Sequence, residues 1–329
     1  MAALPLALAA GAAATTAYLN ARLSLEHDAL FVSIFGTTAI RLIRSVRAGR
    51  VNVFYELERQ AQIPSQSARP FLIFEGHTWS YGTFYETVLR CGHWLRTVHG
   101  VKPREVVALD FQNSDTFVLL WFGLWSIGAV PAFINHHLTG APLVHSLRTS
   151  TATLALVDPR VTDSLTDGVR GEFPNMRFLV VTRAVEDEIV KMEAVRYPDE
   201  DRAVERYVDL AILIYTSGTT GLPKPAVMSW AKIYVASTMA NKGMQLTKDD
   251  IFYLVCATQN PHLKRKFTDP PCSPCHCTIV PPLASGFAVL CLRGLPYLLA
   301  VDSRPRRSGR RYAKATRRPL CTWARPADT

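Results

Sequence analysis

Between Phe71 and Tyr215 short apolar runs alternate with segments of helical period, and that alternation restricts the fold more than any other feature of the 329-residue chain. The runs "FLIFEG", "VVALDF" (Val106 to Phe111), "VPAFIN" (Val130 to Asn135), "TLALVD", "RFLVV" and "LAILIY" have the length and composition of buried strands. The intervening segments read as helices. Tyr81 to His99 carries Phe84, Val88 and Leu95 at helical spacing and stops at Gly100. Asn113 or Ser114 can cap a helix that runs through Trp125 and ends at Gly128, and a further helix follows Gly140. Strands separated by helices of this length predict an α/β fold of parallel βαβ units with both sheet faces covered. Ligands in such sheets sit at the carboxyl ends of the strands.

The formal charge of +10 suggests a nucleic-acid or anionic-membrane partner until it is located. Residues 255–329 hold 13 of the 37 Lys and Arg but only 3 of the 27 acids, so residues 1–254 are net neutral. Cysteine divides the same way, with Cys91 alone in the body and Cys256, Cys272, Cys275, Cys277, Cys291 and Cys321 in the tail. The body therefore reads as a reduced, cytosol-facing protein without a disulfide framework.

Met1 to Ala21 contains no charged side chain, which is about the ~20 residues a helix needs to cross a hydrocarbon core. Ten of these residues are Ala, so the drive to insert is weak. A second apolar run, Ala29 to Ile40, reads as too short to span alone, and Arg41, Arg44, Arg47 and Arg50 follow it on the side facing anionic headgroups. Residues 1–50 are thus expected to be a membrane-associated leader with the body in the cytosol, in preference to a cleaved signal peptide or a buried Ala-rich helix.

The most informative loop is "YTSGTTGLPK". Gly218 and Gly221 permit close backbone approach, Thr216, Ser217, Thr219 and Thr220 present hydroxyls, and Lys224 brings a positive charge, a set suited to polyphosphate. It is not a Walker A loop, because no Gly-Lys-Ser or Gly-Lys-Thr follows at the required spacing. A polar surface turn would need no more than the Gly and Thr content.

The order of these residues resembles the phosphate-loop signature of the adenylate-forming (AMP-binding) superfamily. Pro225 and Ala226 after Lys224, together with "VALDFQNSDTFVLLWFGLWSIGAVPAFINHHLTG" (Val107 to Gly140), resemble its fatty acid transport protein, or very long-chain acyl-CoA synthetase, branch, particularly the fungal members. The resemblance covers roughly Val51 to Phe252. It implies ATP-phosphate binding by Thr216, Ser217, Gly218, Thr219, Thr220, Gly221 and Lys224. It also implies activation of a long- or very long-chain fatty acid through acyl-AMP to acyl-CoA, coupled to fatty acid uptake, with ATP, Mg²⁺ and CoA as cofactors and co-substrates. Fatty acid and membrane lipid are the implied partners, and self-association through sheet surface that later elements would cover is allowed. The aromatic run Phe117, Trp121, Phe122 and Trp125 reads as core rather than an acyl tunnel, and His136 and His137 read as solvated loop residues rather than catalytic ones.

Past "KDDIFYLV" the resemblance stops. The later family motifs, including an aromatic-Gly-x-Thr-Glu segment whose Glu binds Mg²⁺ and a carboxy-terminal catalytic Lys, are not found, so no catalytic residue and no protein metal ligand is assigned. The expected organisation is 1–50 leader, 51–254 partial AMP-binding domain, and 255–329 an aberrant or disordered basic tail rich in Cys, Pro and Arg. The tail is read as a retained intron and shifted frame. Decoded two bases out of register, "CHCTIV" permits Pro-Leu-Tyr-His-Ser, close to a segment the family places there. A zinc site at Cys272, Cys275, His276 and Cys277 lacks a second regularly spaced ligand pair, and "RPRRSGRRYAKATRR" reads as a solvated arm, so no nucleic acid is expected. The rival to an enzyme is a non-catalytic, membrane-bound fragment that binds nucleotide or lipid.

Overall fold

A computed structural model describes residues 3–216, 222–243, 251–255, 277–280 and 298–302. Two long helices lead, α1 (Ala3–Leu23) and α2 (Leu25–Arg47), separated by Ser24 in the left-handed region at φ 54°. Then come α3 (Phe54–Gln62), the single turn α4 (Pro64–Ser67), and a hairpin of β1 (Pro70–Phe74) and β2 (His77–Ser80). The hairpin turns at Glu75 and Gly76, both at positive φ.

The alternation read from the sequence follows: α5 (Tyr81–Thr97), β3 (Val106–Asp110), α6 (Asp115–Ser126), β4 (Val130–Ile134), α7 (Gly140–Ser150) and β5 (Leu154–Val157). The short α8 (Asp167–Gly171), β6 (Arg177–Val180) and α9 (Arg183–Lys191) lead into β7 (Leu210–Thr216), β8 (Lys224–Ser229) and α10 (Trp230–Gly243). The helix starts are chemically explicit. Ser80 and Thr83 form a reciprocal capping box on α5, and Ser114 accepts from the Phe117 N–H to cap α6, which decides between the two caps foreseen there.

The main sheet has the order β6-β5-β3-β4-β7-β8, parallel from β6 to β7. Its last strand departs from the sequence reading. Lys224–Ser229 pairs antiparallel with β7 from Thr216↔Lys224 to Leu210↔Ser229, so the phosphate-type loop closes a hairpin at the sheet edge. The burial pattern of β8, half exposed and interrupted by Pro225, suits an edge strand and hides it from a search for apolar runs.

The core lies between α5, α6 and the sheet. Leu95, Val107, Leu109, Leu120 and Trp125 are fully buried, and Trp121 and Phe122 nearly so, which places the aromatic run of α6 in the core as read. Gly92 and Gly123 let α5 and α6 approach closely, since a Cβ on Gly123 would lie 2.7 Å from the Cβ of Cys91. Cys91 is free and buried, and burial pushes its thiol up to about 12, so it is inert at neutral pH.

Two expectations are corrected. The tail is not wholly without regular structure: β10 (Cys277–Val280) and β11 (Leu298–Asp302) fall within it, and together with β9 (Ile251–Val255), at the end of the body, they join the first hairpin in an antiparallel sheet of order β11-β9-β10-β1-β2. The segments "CTIV" and "LLAVD" are short β-forming runs within the Pro- and Arg-rich sequence; the first pairs with β1 and β9, the second with β9 alone. Cys272, Cys275, His276 and the arginine-rich arm lie outside the described residues. The second apolar run of the leader also does not stop at Ile40. The helix continues through "RLIRSVR", and Asp28–Arg47 is long and apolar enough to cross a membrane, because Leu42, Ile43 and Val46 sit between the arginines.

Candidate functional site

The site is assembled at the carboxyl edge of the main sheet. Thr216 ends β7, Lys224 begins β8, and the Thr216 hydroxyl donates to the Lys224 carbonyl at 3.3 Å, closing the neck of the hairpin. Lys224 is exposed while Pro223 beside it is buried, so the neck is anchored, and Lys224 has no ion-pair partner among the described residues. Ser217, Gly218, Thr219, Thr220 and Gly221 lie outside the described residues. Thr216 and Lys224, eight positions apart in sequence, are therefore direct cross-strand partners, and a loop held at such a neck keeps its ends together on a rigid sheet.

The neighbouring strand ends contribute further groups: the histidine pair noted in the sequence, and two acids, Asp110 and Asp158, that the sequence reading did not single out. Phe133 of β4 pairs with Ile214 of β7, so Asn135, His136 and His137 leave β4 beside the end of β7. His136 is half-buried and its ring stacks on His137 with centroids 4.0 Å apart. Burial, followed by the neighbouring His137, pushes His136 down to about 4, so its imidazole is neutral at pH 7. The expectation of a solvated histidine pair thus holds for exposed His137 only.

Asp110, the last residue of β3, and Asp158, the first after β5, are 2% and 3% exposed. Asp158 accepts from the backbone N–H groups of Gln112 at 3.2 Å and Arg160 at 2.9 Å, and is gripped by the Arg160 guanidinium at 2.6 Å. Burial works against its ionisation, yet the Arg160 contacts hold it below the usual carboxylate range. Asp110 has no such help. One of its carboxylate oxygens is buried without a hydrogen-bond partner, and burial together with the charge of Asp158 raises it from 3.8 to about 7. The available signal was the sequence itself, since "VVALD" and "LALVD" each place an acid directly at the carboxyl end of an otherwise apolar strand.

Among the described residues no group of three or more His, Cys, Asp or Glu could hold a metal ion. A cleft of about 310 Å³ lined by Asn52, Gly128, Arg202, Asp209 and Trp230 lies at the opposite, amino end of the sheet, away from the hairpin neck.

A mostly parallel sheet covered by helices, with an edge hairpin joining β7 to β8 at its carboxyl side, defines an α/β domain of the class that places ligands at the carboxyl ends of its strands. Residues 57–259 match the AMP-binding enzyme family, and the chain belongs to it. Two fungal relatives, each named very long-chain fatty acid transport protein, are similar: one from Cochliobolus heterostrophus at 33% identity over 249 residues and one from Saccharomyces cerevisiae at 30% over 251 residues. These matches cover 74% and 71% of this chain, and the chain spans 38% of the length of each relative. Among solved structures, the anthranilate CoA ligase AuaEII superposes with a TM-score of 0.53 at 22% identity, covering 60% of this chain and 38% of that one, a likeness of fold.

Proposed function

We propose that the chain carries the phosphate-binding part of an ATP-dependent acid–thiol ligase that activates long- or very long-chain fatty acids through acyl-AMP to acyl-CoA, at a membrane from which the acid is drawn. The observation that supports it best is the hairpin neck, which sets exposed Lys224 opposite Thr216 across a loop of Ser217, Gly218, Thr219, Thr220 and Gly221. In that reading the loop hydroxyls and amides hold the β- and γ-phosphates while Lys224 offsets charge as a carboxylate approaches the nucleotide. His136, neutral and beside the loop, can offer a hydrogen bond without adding charge. Mg²⁺ would enter with the nucleotide's phosphates and offset their charge. CoA would attack in the second half-reaction.

The test is nucleotide binding by the full chain, followed by acyl-CoA formation from a long-chain fatty acid, ATP and CoA. Lys224→Ala is expected to weaken ATP binding by about tenfold, the size of one charge-assisted contact, and Thr219→Ala by less. Unchanged affinity in both variants would remove the loop from the mechanism. ATP binding without thioester formation would favour the second reading, a non-catalytic membrane-bound fragment that binds nucleotide or lipid.

A further inference from the structure

Helix α2 carries two distinct stripes. The inner one, Ile34, Thr38, Leu42 and Ser45 at spacings of four, four and three, is buried or half-buried; α2 packs on α10, and the Ser45 hydroxyl donates to the Tyr234 hydroxyl of α10 at 3.1 Å. The outer one is apolar and open to solvent: Val32 is 72% exposed, Phe35 53%, Ile40 52% and Ile43 49%. Phe31 stacks on Phe35 at 6.5 Å. At 100° per residue Arg47 falls within the last turn of this outer stripe and Arg44 borders it beyond Ile40, and Arg41, Arg44 and Arg47 have no carboxylate partner among the described residues. Exposed apolar side chains bordered by unpaired guanidinium groups match one surface, that of a bilayer containing anionic lipid.

Length alone would let α2 cross the membrane, and its attachment to the body argues otherwise. From Ile34 to Ser45 the helix is held against protein over about 16 Å of its axis, more than half of a ~30 Å hydrocarbon core. Crossing would mean pulling α10 into lipid or stripping α2 from it. We infer that α2 lies in the plane of the membrane interface, with its Val32–Phe35–Ile43 stripe in the acyl boundary and its Ile34–Thr38–Ser45 stripe clamped on α10. The left-handed residue Ser24 breaks the helix between α1 and α2, so α1 is not bound to follow the same course. Because α10 directly follows β8, docking of α2 would set the phosphate-loop hairpin at a fixed height above the lipid. The inference rests on the membrane reading above and adds which face docks and how.

The test uses the full chain with vesicles of phosphatidylcholine and phosphatidylserine. A photo-crosslinking phenylalanine analogue is placed singly at Val32, Phe35 or Ile43, and separately at Leu42 or Ser45. Lipid adducts are expected at the first three positions and adducts to α10 peptides at the last two. Val32→Glu combined with Ile43→Glu, both on the solvent side and so harmless to folding, should lower vesicle partitioning by about tenfold or more. Lipid adducts of equal yield at Leu42 and Ser45 would show a helix surrounded by lipid and overturn the inference. So would adducts from the outer stripe to a second copy of the chain. A chain that floats with vesicles but gives no lipid adduct at Val32, Phe35 or Ile43 would sink this inference alone, whereas a chain that does not float at all would also sink the membrane reading.

Discussion

The two ends of the main sheet treat buried charge in opposite ways. At the amino end Arg202 is 1% exposed, yet its guanidinium donates to the carbonyls of Ser126 and Tyr197 and to Asp199, and it lies over the rings of Phe54 and Tyr55 at 4.9 and 5.3 Å. The segment around it is tied down further by Arg196 to Glu58 and by Arg96 to Asp201. At the carboxyl end Asp110 is as deeply buried but keeps a carboxylate oxygen without a partner. Each charge keeps one buried atom without a hydrogen-bond partner, Nε of Arg202 and one carboxylate oxygen of Asp110, but Arg202 makes three hydrogen bonds whereas the Asp110 carboxyl is raised by burial and by the charge of Asp158.

The largest effect should come from Arg202→Ala, which leaves Asp199 and two carbonyls without their buried donor. A loss of about 3 to 5 kcal/mol is expected in urea unfolding, and a loss below ~1 kcal/mol would mean the amino end is not held by this residue.

Asp110→Asn should act in the opposite direction and only at high pH. The raised value means the folded state favours the protonated acid, so the wild-type chain is penalised as pH rises from about 4 to about 7, with no further change above. The variant should therefore match wild type near pH 4 and exceed it at pH 8 by up to about 4 kcal/mol, the equivalent of the rise from 3.8 to about 7. Equal stabilities at pH 8 would show that Asp110 is paired after all. Asp158→Asn, by contrast, should destabilise at pH 8, because Arg160 would lose its carboxylate.

Gly128→Ala should cost about 2 kcal/mol or more, because the residue holds φ at +76° and a Cβ there would lie 1.9 Å from the Asp201 carbonyl oxygen. It probes how tightly the closed end is packed. The smallest effect, about 1 kcal/mol, is expected for Tyr234→Phe, which removes the hydrogen bond from Ser45 and loosens α2 from α10. Faster amide exchange in α2 with the sheet unchanged would confirm that the helix is fastened separately.

Most of the fold was legible because each buried strand is a continuous apolar run and helices α5, α6 and α8 start on a hydroxyl cap, both local signals. Strand β8 was not legible, since an edge strand exposes half its residues and this one contains Pro225. Arg202 was unreadable for the opposite reason: in "VRYPDEDRAVERYVD" it is one charge among many, and only the packing of that segment across the sheet buries it.

By itself the sequence determined the βαβ order, the aromatic core of α6 and the family to which the chain belongs, because these rest on period, composition and local residue order. Tertiary structure alone decided that Thr216 and Lys224 face each other across the hairpin, that Asp110 and Asp158 meet at neighbouring strand ends, and that one stripe of α2 is taken by α10. Those pairings join residues separated by 8, 48 and 189 positions, and no local pattern records which distant backbone will supply a neighbour, a charge or a missing partner.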